Sequence, residues 1–279
     1  MKTITLNNGV EIPVLGFGTF RTAQEETEKS VLTAIESGYR LIDTAEAYNN
    51  ELYVGNAIAA SGVPREELFI TTKVTFRAFD DARTSVENSL RYMRLDYLDL
   101  VLLHWPFGNY YAAWRTLEKL YDEGKIRAIG ISNFNPDRFI DLIEYNKIVP
   151  AINQIETNLY CQRQFEHKYE DKYGIAHQSY APLGQNRANE MFEEPVVKMI
   201  ADKYGKTPAQ VCLRFLIEED VVVIPKSTHA NRIRENIDVF DFSLTENEIA
   251  ALRTLDKKMN VAGNPENPEK VELAMTWGK

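Results

Sequence analysis

The sequence predicts an α/β fold: a (β/α)8 TIM barrel with an N-terminal β-hairpin cap and extra C-terminal helices. Three observations predict it. Between residues 40 and 224, short β-branched or aliphatic runs alternate with longer amphipathic stretches, the pattern of parallel strands joined by crossover helices. Eight such runs occur in the chain, the number that closes a barrel. No G-x-G-x-x-G follows any of them. The nearest candidate, Gly16-Phe17-Gly18-Thr19, lacks the third glycine and the downstream acidic partner, so a dinucleotide-binding open sheet is disfavoured.

The elements follow in order. Segments 3–6 and 10–14 flank Asn7-Asn8-Gly9, and Asn-Gly is a strong signal for a hairpin turn, here expected to cap one barrel mouth. The barrel strands are expected at 14–18, 40–43, 68–73, 97–104, 126–131, 151–155, 175–180 and 221–224. The helices between them are expected at 24–37, 51–60, 80–93, 110–122, 136–145, 163–173 and 208–218. Gly124 stands where a glycine would terminate the helix before the next strand. Beyond the last strand, 231–238 and 245–256 read as further helices, the second opened by Thr245 with Glu248 three residues on. The tail from Asn260, rich in Pro, Asn and Glu, reads as a loop. No repeat, low-complexity tract or linker divides the chain, so residues 1–279 are expected to form one domain.

Composition excludes several classes of function. Hydrophobic residues make up 44% of the chain, enough for a large core, so disorder is not expected. A formal net charge of -9 opposes generic binding to nucleic acid or anionic membrane, and any anion site must be local. The opening segment lacks the apolar core of a signal peptide and no stretch is apolar enough to span a bilayer, so a cytoplasmic protein is expected. A monomer is expected too. Cys161 and Cys212 are far apart and outside any metal-ligand spacing, so they read as buried thiols with neither a disulfide framework nor a metal site.

In such a barrel, chemistry sits where the strands end. The second strand ends in Asp43, the third in Lys73, the fourth in His104, the fifth in Ser132 and Asn133, the sixth near Asn153 and Gln154, the seventh in Tyr180 and the eighth in Lys226. Seen singly, Lys73 reads equally well as a surface lysine, Asp43 as a helix cap and His104 as a satisfied core histidine. Their convergence on one mouth marks a candidate site.

The segments LIDTAEAYNNELYVGNAI, ITTKV, LDLVLLHWP, IGISNF, YAPLG and VVVIPKSTHANRIRENI occur in the order and at the spacing of the aldo-keto reductase family, which the chain resembles from about residue 9 to 256. The resemblance implies NADPH-dependent reduction of a carbonyl, with a tetrad transferring onto Asp43, Tyr48, Lys73 and His104. A carbonyl accepting hydride develops alkoxide charge, and a phenol donates the neutralising proton more readily when a nearby cation lowers its pKa from about 10. Lys73 would supply that cation, Asp43 would anchor it, and His104 would orient the carbonyl.

For NADPH/NADP+, the resemblance implies that Tyr180 stacks on the nicotinamide while Ser132, Asn133 and Gln154 bind its carboxamide. Gly18, Thr19 and Asp43 border the same site. Pro182, Leu183 and Gln185 are expected along the pyrophosphate, and Lys226, Ser227, Thr228 and Arg232 at a 2′-phosphate, with Glu235 and Asn236 at the adenine. Phe20, Tyr48, His104 and Trp105 are the expected substrate contacts, with Trp277 of the tail a further candidate for an apolar wall. Phe20 stands where many members carry tryptophan, the 106–111 connection is short, and Gln185 replaces a small residue; these departures touch pocket shape. A short loop suggests an open mouth for small aldehydes, dicarbonyls or keto sugars.

Three other readings compete. Tyr121 and Lys125 have the Tyr-x-x-x-Lys spacing of short-chain dehydrogenases, but Gly124 would break the helical face they need to share. A Schiff-base lyase would use Lys73 uncharged, against its expected pairing with Asp43. A regulatory cofactor-binding protein on the same scaffold would not need the tetrad. Polar His177 and Gln178 in the seventh strand have no explanation from sequence.

Overall fold

The computed structural model describes residues 2–261 and 264–277. All eight expected barrel strands form: β3 (Gly16–Gly18), β4 (Leu41–Asp43), β5 (Phe69–Val74), β6 (Leu98–Leu103), β7 (Ile126–Ser132), β8 (Ile152–Glu156), β9 (Ala176–Tyr180) and β10 (Val222–Val223). They pair in parallel in sequence order. A parallel bridge between Leu15 and Val223 joins last to first, and the Gly18 amide donates to the Pro225 carbonyl at 3.1 Å. A Cβ at Gly18 would stand 2.9 Å from the Ile224 carbonyl oxygen, so the seam closes this tightly only without a side chain there.

Ahead of the barrel, β1 (Thr3–Thr5) and β2 (Glu11–Pro13) pair antiparallel through the expected turn, where Gly9 takes φ +85°. Leu6 and Ile12 of the hairpin join Leu41, Phe69, Leu100 and Ile152 in an apolar cluster that fills the lower barrel interior. The hairpin therefore plugs the mouth opposite the strand ends. A second, larger core lies between the barrel and its helices, where Trp114, Leu117 and Phe139 pack with Val101, Ile129 and Ile131.

The helices run α1 (Gln24–Glu36), α2 (Glu51–Ala60), α3 (Ala82–Met93), α4 (Tyr110–Asp122), α5 (Pro136–Glu144), α6 (Gln164–Tyr173), α7 (Ala188–Glu193), α8 (Pro195–Tyr204), α9 (Pro208–Glu218), α10 (Ala230–Ile237), α11 (Glu246–Arg253) and α12 (Pro268–Ala274). The expected capping box at Thr245 is present, and Thr207 with Gln210 forms a second one at α9. Gly124 leaves α4 with φ +75°, and Lys125 pairs with Glu87 at 2.7 Å, so Tyr121 and Lys125 share no continuous helix.

One interval gains helices and one expectation is corrected. The interval between β9 and α9 contains α7 and α8, which the sequence reading left unassigned; Pro195 opens α8, and Val197, Ile200 and Ala201 bury its inner face. The tail is not all loop. Asn267 accepts from the amides of Glu269 and Lys270 and caps α12, whose Ala274 is buried. Both cysteines are free and buried, as expected.

Candidate active site

Inward-facing side chains change from apolar at the hairpin end to polar at the strand ends. Asp43 closes β4, and Lys73 projects from β5. Lys73 Nζ meets Asp43 Oδ1 at 2.5 Å and donates to the Thr44 carbonyl at 2.8 Å. The other oxygen of Asp43 accepts from Gln154 Nε2 at 2.7 Å. Both ionisable groups are buried. Burial pushes the Asp43 carboxyl up and the Lys73 ammonium down, while their mutual contact opposes both shifts.

Tyr48 ends a 3₁₀ turn, Glu46–Tyr48, which Asn49 terminates in the left-handed region at φ +54°. Lys73 Nζ lies 5.2 Å from the centre of the Tyr48 ring. The phenol nevertheless shifts opposite to the direction anticipated from sequence. Burial first, then the Asp43 and Tyr180 oxygens, push it well above 10. The main reason is burial, which disfavours the charged phenolate. Burial thus favours the protonated phenol.

His104 follows β6, its amide donating to the Val74 carbonyl at 3.0 Å, and its ring centre is 5.8 Å from that of Tyr48. Burial and the Lys73 charge lower its pKa to about 3, so the imidazole is neutral and keeps one N–H to donate. Around this group stand Phe20, 5.0 Å from the Tyr48 ring, and Trp105, which stacks on Phe107 and meets Trp277 edge-on at 5.6 Å. Phe20 thus packs on Tyr48, and Trp277 of the tail packs on Trp105.

The residues expected at a nicotinamide adjoin the same mouth. Ser132 Oγ donates to the Gln154 carbonyl at 2.8 Å, Asn133 Nδ2 donates to the His104 carbonyl at 3.0 Å, and the Tyr180 hydroxyl donates to Asn133 Oδ1 at 2.7 Å. Thr19 donates from its amide and its hydroxyl to the Asp43 carbonyl, both at 3.0 Å. Past Tyr180, Ala181, Gly184 and Gln185 all take positive φ, so Pro182, Leu183 and Gln185 lie in a sharply turned segment.

Farther out, Lys226 Nζ donates to the Arg21 carbonyl at 3.1 Å, Ser227 Oγ accepts from the His229 amide, and Thr228 precedes α10. Arg232 on α10 is exposed and has no hydrogen bond or ion pair among the described residues, leaving a guanidinium for an anion in a chain of net charge -9. Asn236 is buried on the same helix. The Glu235 carboxylate accepts from the Thr207 hydroxyl at 2.8 Å, so it is tied to α9. Fixed amides, a tyrosine ring and an unpaired arginine form a donor set that fits a phosphorylated dinucleotide.

Sequence reasoning missed two carboxylates. Glu46 accepts from the Thr75 amide at 2.5 Å and from the Ser85 hydroxyl, and Glu51 accepts from Thr72 Oγ1 at 2.6 Å; burial pushes both up. Their signal was position, since both flank Tyr48 in one short segment.

Comparison with known proteins identifies the family. The model of the aldo/keto reductase family matches residues 14–257. The 9,11-endoperoxide prostaglandin H2 reductase of Trypanosoma cruzi is 42% identical over 269 residues, covering 95% of each chain. Methylglyoxal reductase DkgA of Yersinia pestis is 40% identical over 266 residues, covering 94% of this chain and 96% of that protein. The crystal structure of the Bombyx mori aldo-keto reductase AKR2E4 in complex with NADP superposes with a TM-score of 0.89 at 36% identity, covering 93% of this chain and 94% of that one. Likeness of this extent, over both sequence and fold, means that the chain belongs to the aldo/keto reductase family, oxidoreductases that reduce carbonyls to alcohols, usually with a nicotinamide cofactor.

Proposed function

We propose that this protein reduces aldehydes and ketones with NADPH, with Tyr48 as proton donor and Asp43, Lys73 and His104 as its partners. What carries the reading is the buried chain from Gln154 through Asp43 to Lys73, which ends beneath the Tyr48 ring. When bound, the nicotinamide supplies the hydride. Neutral His104 directs its N–H at the carbonyl oxygen beside the Tyr48 hydroxyl, so two donors meet the developing alkoxide. Lys73 stabilises the phenolate left behind, and Asp43 keeps Lys73 in place. Ser132, Asn133 and Gln154 would hold the carboxamide against the Tyr180 ring, with Gly18 and Thr19 bordering that site and Pro182, Leu183 and Gln185 along the pyrophosphate.

The preference for NADPH over NADH is assigned to Lys226, Ser227, Thr228 and Arg232, with Asn236 and Glu235 toward the adenine. The unpaired Arg232 guanidinium and a relative crystallised with NADP support it. Residues 1–279 act as one barrel domain, monomeric and cytoplasmic. Phe20, Trp105 and the short connection after β6 favour small aldehydes, dicarbonyls or keto sugars, and a relative named for methylglyoxal reduction supports that choice. The test is NADPH oxidation across a carbonyl panel, repeated with NADH. Tyr48→Phe is expected to lower kcat by roughly 10² to 10⁴ while NADPH affinity stays within about twofold. Turnover surviving in that variant refutes the role of Tyr48, and activity on steroids with none on small aldehydes refutes the substrate class.

A further inference from the structure

Of the polar pair in β9, Gln178 accepts from Gln154 Nε2 at 2.8 Å inside the barrel, while His177 finds its explanation on the outer face. His177, Glu170, Thr157 and Asn153 are buried between the sheet and α6. Glu170 Oε2 lies 2.6 Å from His177 Nδ1, and the carboxylate fixes the ring proton on that nitrogen. His177 Nε2 then meets the Thr157 hydroxyl at 2.7 Å. The second oxygen of Glu170 accepts from Asn153 Nδ2 at 2.7 Å, which holds the carboxylate in turn. The order carboxylate, imidazole, hydroxyl resembles that of a hydrolase triad, but Thr157 has no exposed surface, so its hydroxyl meets no substrate.

Thr157 is where the regular pairing of β8 with β9 ends. The last register pair is Glu156 with Tyr180. Beyond it, the Thr157 amide donates to the Tyr180 carbonyl at a long 3.3 Å, and Ser179 Oγ donates to the Thr157 carbonyl at 2.5 Å. The next residue, Ala181, sits in the left-handed region at φ +51°, which an alanine keeps only where its surroundings hold it. That strained residue starts the turn through Pro182, Leu183 and Gln185.

We propose that His177, oriented by Glu170, is a positioning residue that pins Thr157 and thereby presets the Tyr180 ring and the Ala181 turn for the dinucleotide. The proposal rests on the reading of Tyr180 and residues 182–185 as cofactor contacts. A pocket held in its bound shape before the cofactor arrives binds it more tightly, because less conformational freedom is lost on binding.

The test is a fluorescence titration of NADPH against wild type, Thr157→Val, Thr157→Ser and His177→Leu, with kcat, KM for one carbonyl and apo melting temperature recorded for each. Thr157→Val keeps the shape of the side chain and removes the hydroxyl. Its NADPH Kd is expected to rise roughly threefold to tenfold, the scale of one lost buried hydrogen bond. At saturating NADPH, KM for the carbonyl stays within about twofold. Thr157→Ser restores the hydroxyl and the affinity, and His177→Leu combined with Thr157→Val is no worse than either alone. If His177→Leu does not fold, the Val and Ser variants decide. Wild-type affinity in Thr157→Val, or equal weakening in Val and Ser, overturns the positioning role. A wild type that neither binds NADPH nor turns over overturns the functional reading instead.

Discussion

At the scale of single residues, the site runs on burial more than on net charge. His104 illustrates this: desolvation, aided by the Lys73 charge, brings its pKa from 6.5 to about 3. The unfolded chain binds a proton at this residue below about pH 6.5, whereas the folded protein does not until about pH 3. The resulting contribution to stability is complete above about pH 6.5 and lost as pH falls through the window down to about 3. Wild type is therefore expected to lose more stability between pH 7 and pH 5 than His104→Gln, as read from urea midpoints at the two pH values. Equal losses would mean that the imidazole titrates normally in the folded protein. Lys73 and Asp43 behave as a unit in the same sense, since removing either leaves its partner buried without an opposite charge.

At the scale of elements, legibility followed local chemistry. Strands ending in Asp43, Lys73 and His104 were readable because a run of apolar residues stopped at a polar one. The Asn7-Asn8-Gly9 turn and the Thr245 cap were readable because each has a short sequence signature. In contrast, α7 and α12 are brief, and nothing in the composition of Ala188–Glu193 separates a solvated turn of helix from a loop. The direction of the Tyr48 shift was not readable either, since it depends first on how deeply the fold buries the phenol. His177 looked anomalous for the same reason: Glu170, its partner, lies on a different element. The two capping boxes offer a direct comparison. Thr245 serves α11 alone, whereas Thr207 Oγ1 also donates to Glu235 on α10. Thr245→Ala is expected to cost about 1 kcal/mol, and Thr207→Ala more, measured as the difference in urea unfolding free energy. A smaller loss at Thr207 would show that its bond to Glu235 contributes nothing.

At the scale of the whole molecule, the barrel holds the candidate chemical groups while the tail adds Trp277 to the aromatic rings beside them. The chain leaves α11 and is fastened at the β8 end, where the Lys257 and Met259 amides donate to the Tyr160 carbonyl and the Val261 amide donates to Glu156 at 2.7 Å. It is fastened again beyond β5, where Arg77 donates to the carbonyls of Met275 and Trp277. Trp277 is thereby brought edge-on to Trp105. Such an aromatic contact is worth roughly 0.5–1.5 kcal/mol beyond burial, so its loss should be visible in substrate binding. Trp277→Ala is expected to raise KM for a small aldehyde by roughly twofold to tenfold, and to raise it less for a bulkier carbonyl that fills the vacated space. The NADPH dissociation constant should not change, because the ring contact of Trp277 is with Trp105, a proposed substrate contact, and not with a proposed cofactor residue. Steady-state kinetics on the two carbonyls, with NADPH titrated separately, separates these effects: an equal rise for both carbonyls, or weakened NADPH binding, would place Trp277 outside the substrate wall.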